Sequence, residues 1–243
     1  MSERFFLTAP PHDGRAELVG DEARHLARVL RAEPGDTVQV FDGHGLAWPA
    51  RIVAIGRDRV SLEVGPPLNA PAPRPRLTLA VALPKGDRQK WLVEKLTELG
   101  CARLVPLVTT RGVAEATPAA IDRLGRGVIE ACKQCGRNLL MEIAPAQSLA
   151  AVLGGLDAST LAVVADPSGL PAGPVLGSHA GPLLALVGPE GGFTTEELHV
   201  AEAAGCRRIA VAPHVLRIET AAIAVAAAVW ATEADAAAQA TGA

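Results

Sequence analysis

Two rhythms divide this chain. As far as residue 65, apolar and polar positions alternate in short runs: "DTVQVFD" (36–42), "ARIVAIG" (50–56) and "RVSLEVG" (59–65). Turn signals such as Pro34-Gly35-Asp36 and Asp42-Gly43-His44-Gly45 separate them, which is the pattern of half-buried strands in a small β-barrel. One helical stretch interrupts, residues 21–31, with Asp21 placed to cap it. From residue 77 the apolar runs become continuous, and strands take turns with helices. "LTLAVALP" leads to a helix over 87–99 closed by Gly100, and "RLVPLV" leads to one over 118–135 closed by Gly136. Thr117 and Pro118 suit the cap and the first helical position, and Ile121, Leu124, Val128 and Cys132 form the stripe to be buried. Further strands are expected at "LAVVA", "LLALVG" and "RIAVA", with a helix over 195–204 and a last one from about Thr220. Such alternation predicts an α/β domain with a mainly parallel sheet, whose ligand site lies beyond the carboxyl ends of the strands.

Between the two rhythms, "PPLNAPAPRPR" (66–76) packs five prolines into eleven residues, which suits neither a helix nor a central strand. The expected division is a barrel over 1–70, a linker over 71–76 and an α/β domain over 77–243. With 243 residues, 49% hydrophobic and 20% charged, the chain can bury a full core. No run reaches the roughly 20 apolar residues of a membrane span and no signal segment opens the sequence, so a cytoplasmic location is expected. The net charge of −3 means that any basic surface is local. Cys132 and Cys135 have C-x-x-C spacing, but there is no second pair; on a helix they are expected to share one apolar stripe, so packing is favoured over zinc and no metal is implied.

The densest chemistry is in "LLALVGPEGGFTTEEL" (183–198). An apolar strand ends at Gly188-Pro189-Glu190-Gly191-Gly192, and a helix opens with Thr194 and Glu197 at capping-box spacing. This is no P-loop, which needs G-x-x-x-x-G-K-[ST], and "LPKGDRQK" at the first crossover has too few glycines for a dinucleotide fingerprint. A helix N-terminus attracts anions, yet Glu190 would repel a phosphate. The combination suits a flat, phosphate-free heterocycle that carries positive charge, and S-adenosylmethionine has that profile. Two more stretches follow strands: "ADPSG" (165–169) and "VAPHVLRIET" (211–220), where Arg217 and Glu219 flank the entry to an alanine-rich helix that Thr220 can cap.

"CKQCGRN" (132–138), "LVGPEGGFTTEEL" (186–198) and "VLRIETAAI" (215–223), in this order behind a small barrel, resemble the RsmE family of ribosomal RNA uridine methyltransferases, of the SPOUT class. The resemblance spans nearly the whole chain. It implies a PUA-like N-terminal domain, a C-terminal domain threaded into a trefoil knot, and a homodimer. It also implies S-adenosylmethionine held by three loops, here Ala165 and Asp166; Val187, Gly188, Glu190, Gly191 and Gly192; and Val211, Ala212 and Leu216. The implied reaction is methylation of a uridine at N3 in small-subunit ribosomal RNA, within the assembled subunit. The segment 211–217 departs from the family pattern at Ala212, where relatives carry glycine, and at His214, where they carry arginine.

That reaction needs the N3 proton removed and the resulting charge stabilised, for which Arg217 is the expected guanidinium and Glu190 or Glu219 the expected base. RNA contacts are expected from Arg24, Arg28 and Arg31, spaced i, i+4, i+7 along one helix face. Others are expected from Lys85, Arg88 and Lys90 after the first strand of the second domain, and from Arg111, Arg137 and Asn138. With no Tyr, four Phe and three Trp, base stacking on aromatic platforms is not expected. The competing readings are methylation of another RNA such as transfer RNA, and a silent RNA-binding relative.

Overall fold

The computed structural model describes residues 3–68, 77–114 and 116–241. The segment read as a linker, 71–76, lies outside the described residues. The chain divides into two compact units, one of residues 1–73 with 129–140, the other of residues 74–128 with 141–243.

In the first unit, five strands form one curled, half-barrel sheet in the order β1 (Arg4–Phe6), β3 (Thr37–Phe41), β4 (Ala47–Ile55), β5 (Arg59–Val64), β2 (Arg15–Val19). All pairings are antiparallel except β1 with β3. The alternation read in the sequence is realised: along β5, Val60, Leu62 and Val64 are buried against Phe5, Leu18, Leu26 and Ile52. The outer positions carry ion pairs, Arg51 with Glu63 and Arg59 with Glu17. Residues 129–140 contribute Lys133, whose ammonium lies 2.8 Å from Glu22 and over the Phe5 ring, and Asn138, whose carbonyl accepts from Arg4 at 2.6 Å.

The helix expected over 21–31 is shorter and changes its winding. An α-helical turn, α1 (Gly20–Arg24), passes into a π-helical turn over His25–Val29, and Arg31 stands beyond both with φ +53°. Arg31, beyond the π turn and in a left-handed conformation, does not continue a helical face with Arg24 and Arg28. Asp21 is not the cap either: it lies inside the first turn and pairs with Arg24. Arg24 also reaches Asp58, whereas Arg28 and Arg31 are exposed.

In the second unit a parallel sheet runs β12 (Arg207–Ala210), β10 (Leu161–Pro171), β11 (Leu183–Val187), β6 (Leu77–Val81), β7 (Arg103–Val108), β8 (Glu142–Ile143), with β9 (Gln147–Ser148) also on β7. Every residue of β11 is buried, as a strand covered on both faces requires. The helices are α2 (Arg88–Glu98), α3 (Pro118–Cys135, whose residues from 129 onward belong to the first unit), α4 (Leu149–Gly154), α5 (Ala172–Gly177), α6 (Thr195–Ala203) and α7 (Ile218–Thr241). The short elements β8, β9, α4 and α5 carry too few residues to show a period. On α3, Leu124, Val128 and Cys132 are buried as expected and Ile121 is half-buried, but Cys135 is exposed, so the two cysteines do not share one stripe. Burial pushes the Cys132 thiol up to about 11, which keeps it a packed, protonated group. Since α7 starts at Ile218, Thr220 is inside the helix and does not cap it.

Candidate functional site

Three chain segments converge beyond the parallel sheet. The first is a bulge inside β10, not a loop after a strand. Both Ala165 and Leu170 pair with Ile209, so residues 166–169 bow out between two points of attachment to the same partner residue. Asp166 shapes the bow by accepting from the Ser168 N–H at 2.8 Å and its hydroxyl at 2.5 Å. Gly169 returns the chain so close to β12 that an added Cβ would lie 2.5 Å from the Ile209 nitrogen. The second segment is the glycine loop after β11. A Cβ on Gly188 would meet the Phe193 ring at 3.0 Å, and Gly192 has φ +68°, a conformation that favours glycine. The third runs from Val211 to Arg217 after β12.

Together they wall a cavity of about 310 Å³, near the lower end of the range for small-molecule sites. Each residue expected to touch the cofactor lines it: Ala165, Asp166, Val187, Gly188, Glu190, Gly191, Gly192, Val211, Ala212 and Leu216. Pro167, Pro189, Phe193, Ile209, His214, Val215, Ile218 and Ala221 complete the wall. Neither lysine nor arginine is among them, while Asp166 and Glu190 are. The first turn of α6 is likewise closed to anions, because Thr194 and Glu197 satisfy each other's backbone in a capping box and Glu196 adds a second negative charge. The wall therefore suits a neutral or cationic, largely apolar guest with polar edges, and S-adenosylmethionine meets that description.

Two arginines hold the glycine loop from outside. Arg111, in the loop after β7, donates to the Gly191 carbonyl at 2.6 Å. The same loop is latched to α6, since the Thr110 N–H and hydroxyl donate to Glu197 at 2.8 and 3.1 Å. Partial burial alone would raise the Glu197 carboxyl's pKa. The backbone donors of Thr110 and Thr194, the Thr110 hydroxyl and the charge of Arg111 outweigh this and hold it below the ordinary carboxylate range. Arg88, at the start of α2, lies 3.4 Å from Glu190 and 3.6 Å from Glu219. Sequence reasoning gave both arginines to RNA and missed these contacts, because the partners stand 80 to 131 positions away in the chain.

The three expected catalytic groups differ in exposure, and Arg88 bridges two of them, Glu190 and Glu219. Glu190 is on the cavity wall with a half-exposed side chain, whereas Glu219 is buried and does not line the cavity. Arg217 is exposed, and its side chain makes no hydrogen bond or ion pair among the described residues. Lys85 and Lys90 are exposed, whereas the Asn138 carbonyl is occupied by Arg4, whose guanidinium also reaches the Arg137 carbonyl at 3.4 Å. No group of three or more His, Cys, Asp or Glu among the described residues is arranged to hold a metal.

Residues 71–230 match the family model described as an RNA methyltransferase domain, and residues 18–65 match the RNA methyltransferase PUA domain. The ribosomal RNA small subunit methyltransferase E of Synechocystis is 31% identical, over 82% of this chain and 67% of that relative. The protein of the same name from Rickettsia conorii is 30% identical over 87% of both. The chain belongs to the ribosomal RNA small subunit methyltransferase E family. A solved structure of a member from Neisseria gonorrhoeae, bound to S-adenosyl methionine, superposes with a TM-score of 0.87 at 28% identity, covering 94% of this chain and 96% of that one. The family's architecture is the one present here: an N-terminal PUA domain followed by a SPOUT-type α/β methyltransferase domain.

Proposed function

We propose that this protein is the S-adenosylmethionine-dependent enzyme that methylates N3 of a uridine in small-subunit ribosomal RNA. The observation that carries this reading is the cavity at the three strand exits, whose wall offers main-chain groups and carboxylates and neither lysine nor arginine. Val187, Gly188 and the segment from Val211 to Leu216 would hold the adenosine, with Glu190 facing the cationic end. When bound, the cofactor supplies an electrophilic methyl group.

The residues of this chain do the rest. The walls fix a reacting pair in line, a contribution of about 7–11 kcal/mol for good alignment. A uracil imide is a poor nucleophile until its N3 proton leaves, and Glu190 or Glu219 is the carboxylate to take it. The charge then spreads to the flanking carbonyl oxygens, and Arg217, exposed and unpaired among the described residues, is the guanidinium free to meet them.

The partner is ribosomal RNA within the assembled small subunit, met in the cytoplasm; no helix among the described residues is long and apolar enough to cross a membrane. With few aromatic residues for base stacking, recognition rests on the shape of the particle and on phosphate contacts from exposed cations such as Lys85, Lys90, Arg28 and Arg31. The active form is a homodimer. Trp91 on α2 and Trp230 on α7 support this, since both are exposed on helices that pack against each other. The trefoil threading expected from the family belongs to the same proposal. The decisive experiment incubates purified protein with small ribosomal subunits and labelled cofactor and maps the modified base. Methyl label on a uridine N3 supports the reading, and label on another base or none overturns it.

A further inference from the structure

The contacts around Arg88 separate the two carboxylates that the chemistry left interchangeable. Glu219 is 4% exposed; one oxygen faces Arg88 at 3.6 Å and the other is buried with no hydrogen-bond partner among the described residues. A group so enclosed, and absent from the cavity wall, cannot touch a substrate in this arrangement. Keeping a carboxylate buried and half-satisfied costs free energy, which the facing guanidinium offsets. Arg88 in turn is about one-third exposed and extends its other nitrogen to Glu190, on the wall. The planar guanidinium addresses two different carboxylates through two different nitrogens, which a lysine ammonium cannot reproduce in the same geometry.

We infer that Glu219, Arg88 and Glu190 form a relay in which Glu219 is the buried anchor, Arg88 the positioning residue, and Glu190, of these two carboxylates, the one presented to the ligand cavity. The relay ties α7 through α2 to the glycine loop, so that the loop's only carboxylate is aimed from two helices away in sequence. It rests on the proposed reaction for its importance but not for its geometry. Arg88 is thereby withdrawn from the set of RNA phosphate contacts, while its exposed neighbours Lys85 and Lys90 stay in it.

The test compares Glu190→Gln, Arg88→Ala, Arg88→Lys and Glu219→Gln with the double variant Arg88→Ala/Glu190→Gln. Measured for each are the calorimetric affinity for S-adenosylmethionine, turnover at saturating RNA, the KM for RNA and the thermal midpoint. The relay requires Arg88→Ala and Glu219→Gln to reproduce the profile of Glu190→Gln, a loss of at least fivefold in turnover or cofactor affinity with the KM for RNA within twofold of wild type. The double variant should fall within twofold of Glu190→Gln alone, and Arg88→Lys should recover only part of the loss. Should Glu219→Gln fail to fold, the Arg88 variants carry the comparison. Independent, multiplicative losses in the double variant overturn the relay. So does a raised KM for RNA with unchanged saturated turnover in Arg88→Ala, which would return Arg88 to the phosphates, and so does a silent Glu190→Gln. If wild-type protein binds no S-adenosylmethionine, the proposed function fails instead, and the two failures are distinct.

Discussion

The two sheets of this protein treat their charged residues in opposite ways. In the N-terminal unit, strands with one wet face place arginines opposite carboxylates on that face, as in Arg51 with Glu63 and Arg59 with Glu17, while Arg24 on α1 pairs with Asp21 and Asp58. These pairs join neighbours in the sheet or across a turn, and exposed pairs of this kind contribute at most about 1 kcal/mol. In the C-terminal unit the central strands β6 and β11 are almost wholly buried, and apart from edge pairs such as Arg103 with Glu142, charge gathers at the strand exits. There Arg88 and Arg111 reach loops far away in sequence and set the shape of a cavity. A cation on an open sheet face is screened and replaceable, whereas one at the exit of a buried strand organises main chain.

The largest test of that contrast is a charge placed in each sheet. Leu186→Asp, at a fully buried position of β11, should cost more than about 4 kcal/mol and prevent folding, while Val53→Asp on the outer face of β4 should stay within about 0.5 kcal/mol, both read by urea unfolding. Next comes Gly169→Ala. Because its Cβ would press on the backbone of Arg208 and Ile209, about 3 kcal/mol should be lost in thermal unfolding, together with measurable cofactor binding. A smaller effect separates two arginines. Arg111→Ala should weaken S-adenosylmethionine binding about tenfold by calorimetry, as expected for losing a charged hydrogen bond to the glycine loop, whereas Arg51→Ala should leave it unchanged.

The smallest is Glu197→Gln, which keeps one acceptor oxygen but turns the other into an N–H donor facing Thr110 or Thr194, and should cost about 1 kcal/mol near neutral pH. Its pH dependence has a defined sign. The native carboxyl is held low, so its contribution is complete above the unfolded value of about 4.3 and fades as pH falls through the native one. Unfolding curves of wild type and variant should therefore converge in acid. A constant gap down to pH 2 would show that the carboxylate's charge is not what the latch uses.

Much of this was legible in sequence, for identifiable reasons. Val60, Leu62 and Val64 alternate because one face of β5 is wet, and β11 reads as an unbroken apolar run because neither face is. The cap at Thr194 with Glu197 is local chemistry, fully contained in four residues, and the loops walling the cavity each follow or interrupt a strand. What escaped was non-local or conformational. No periodicity announces the π turn that ends the helix before Arg31, because helical spacing looks the same until the winding changes. The bulge in β10 resembled a strand end, since residues 166–169 carry loop chemistry while Leu170 resumes pairing with the same partner. The links from Arg88 and Arg111 belong to the tertiary fold alone.

The double attachment of β10 to Ile209 has one further consequence. A recess whose outline is fixed in part by where two strands are stitched together depends less on the side chains around it, so many of them are free to drift. With only 28% of positions shared, this chain and its gonococcal relative still superpose closely along almost their entire length, and a scaffold that defines its binding hollow by stitching is a physical reason why such divergence is tolerated.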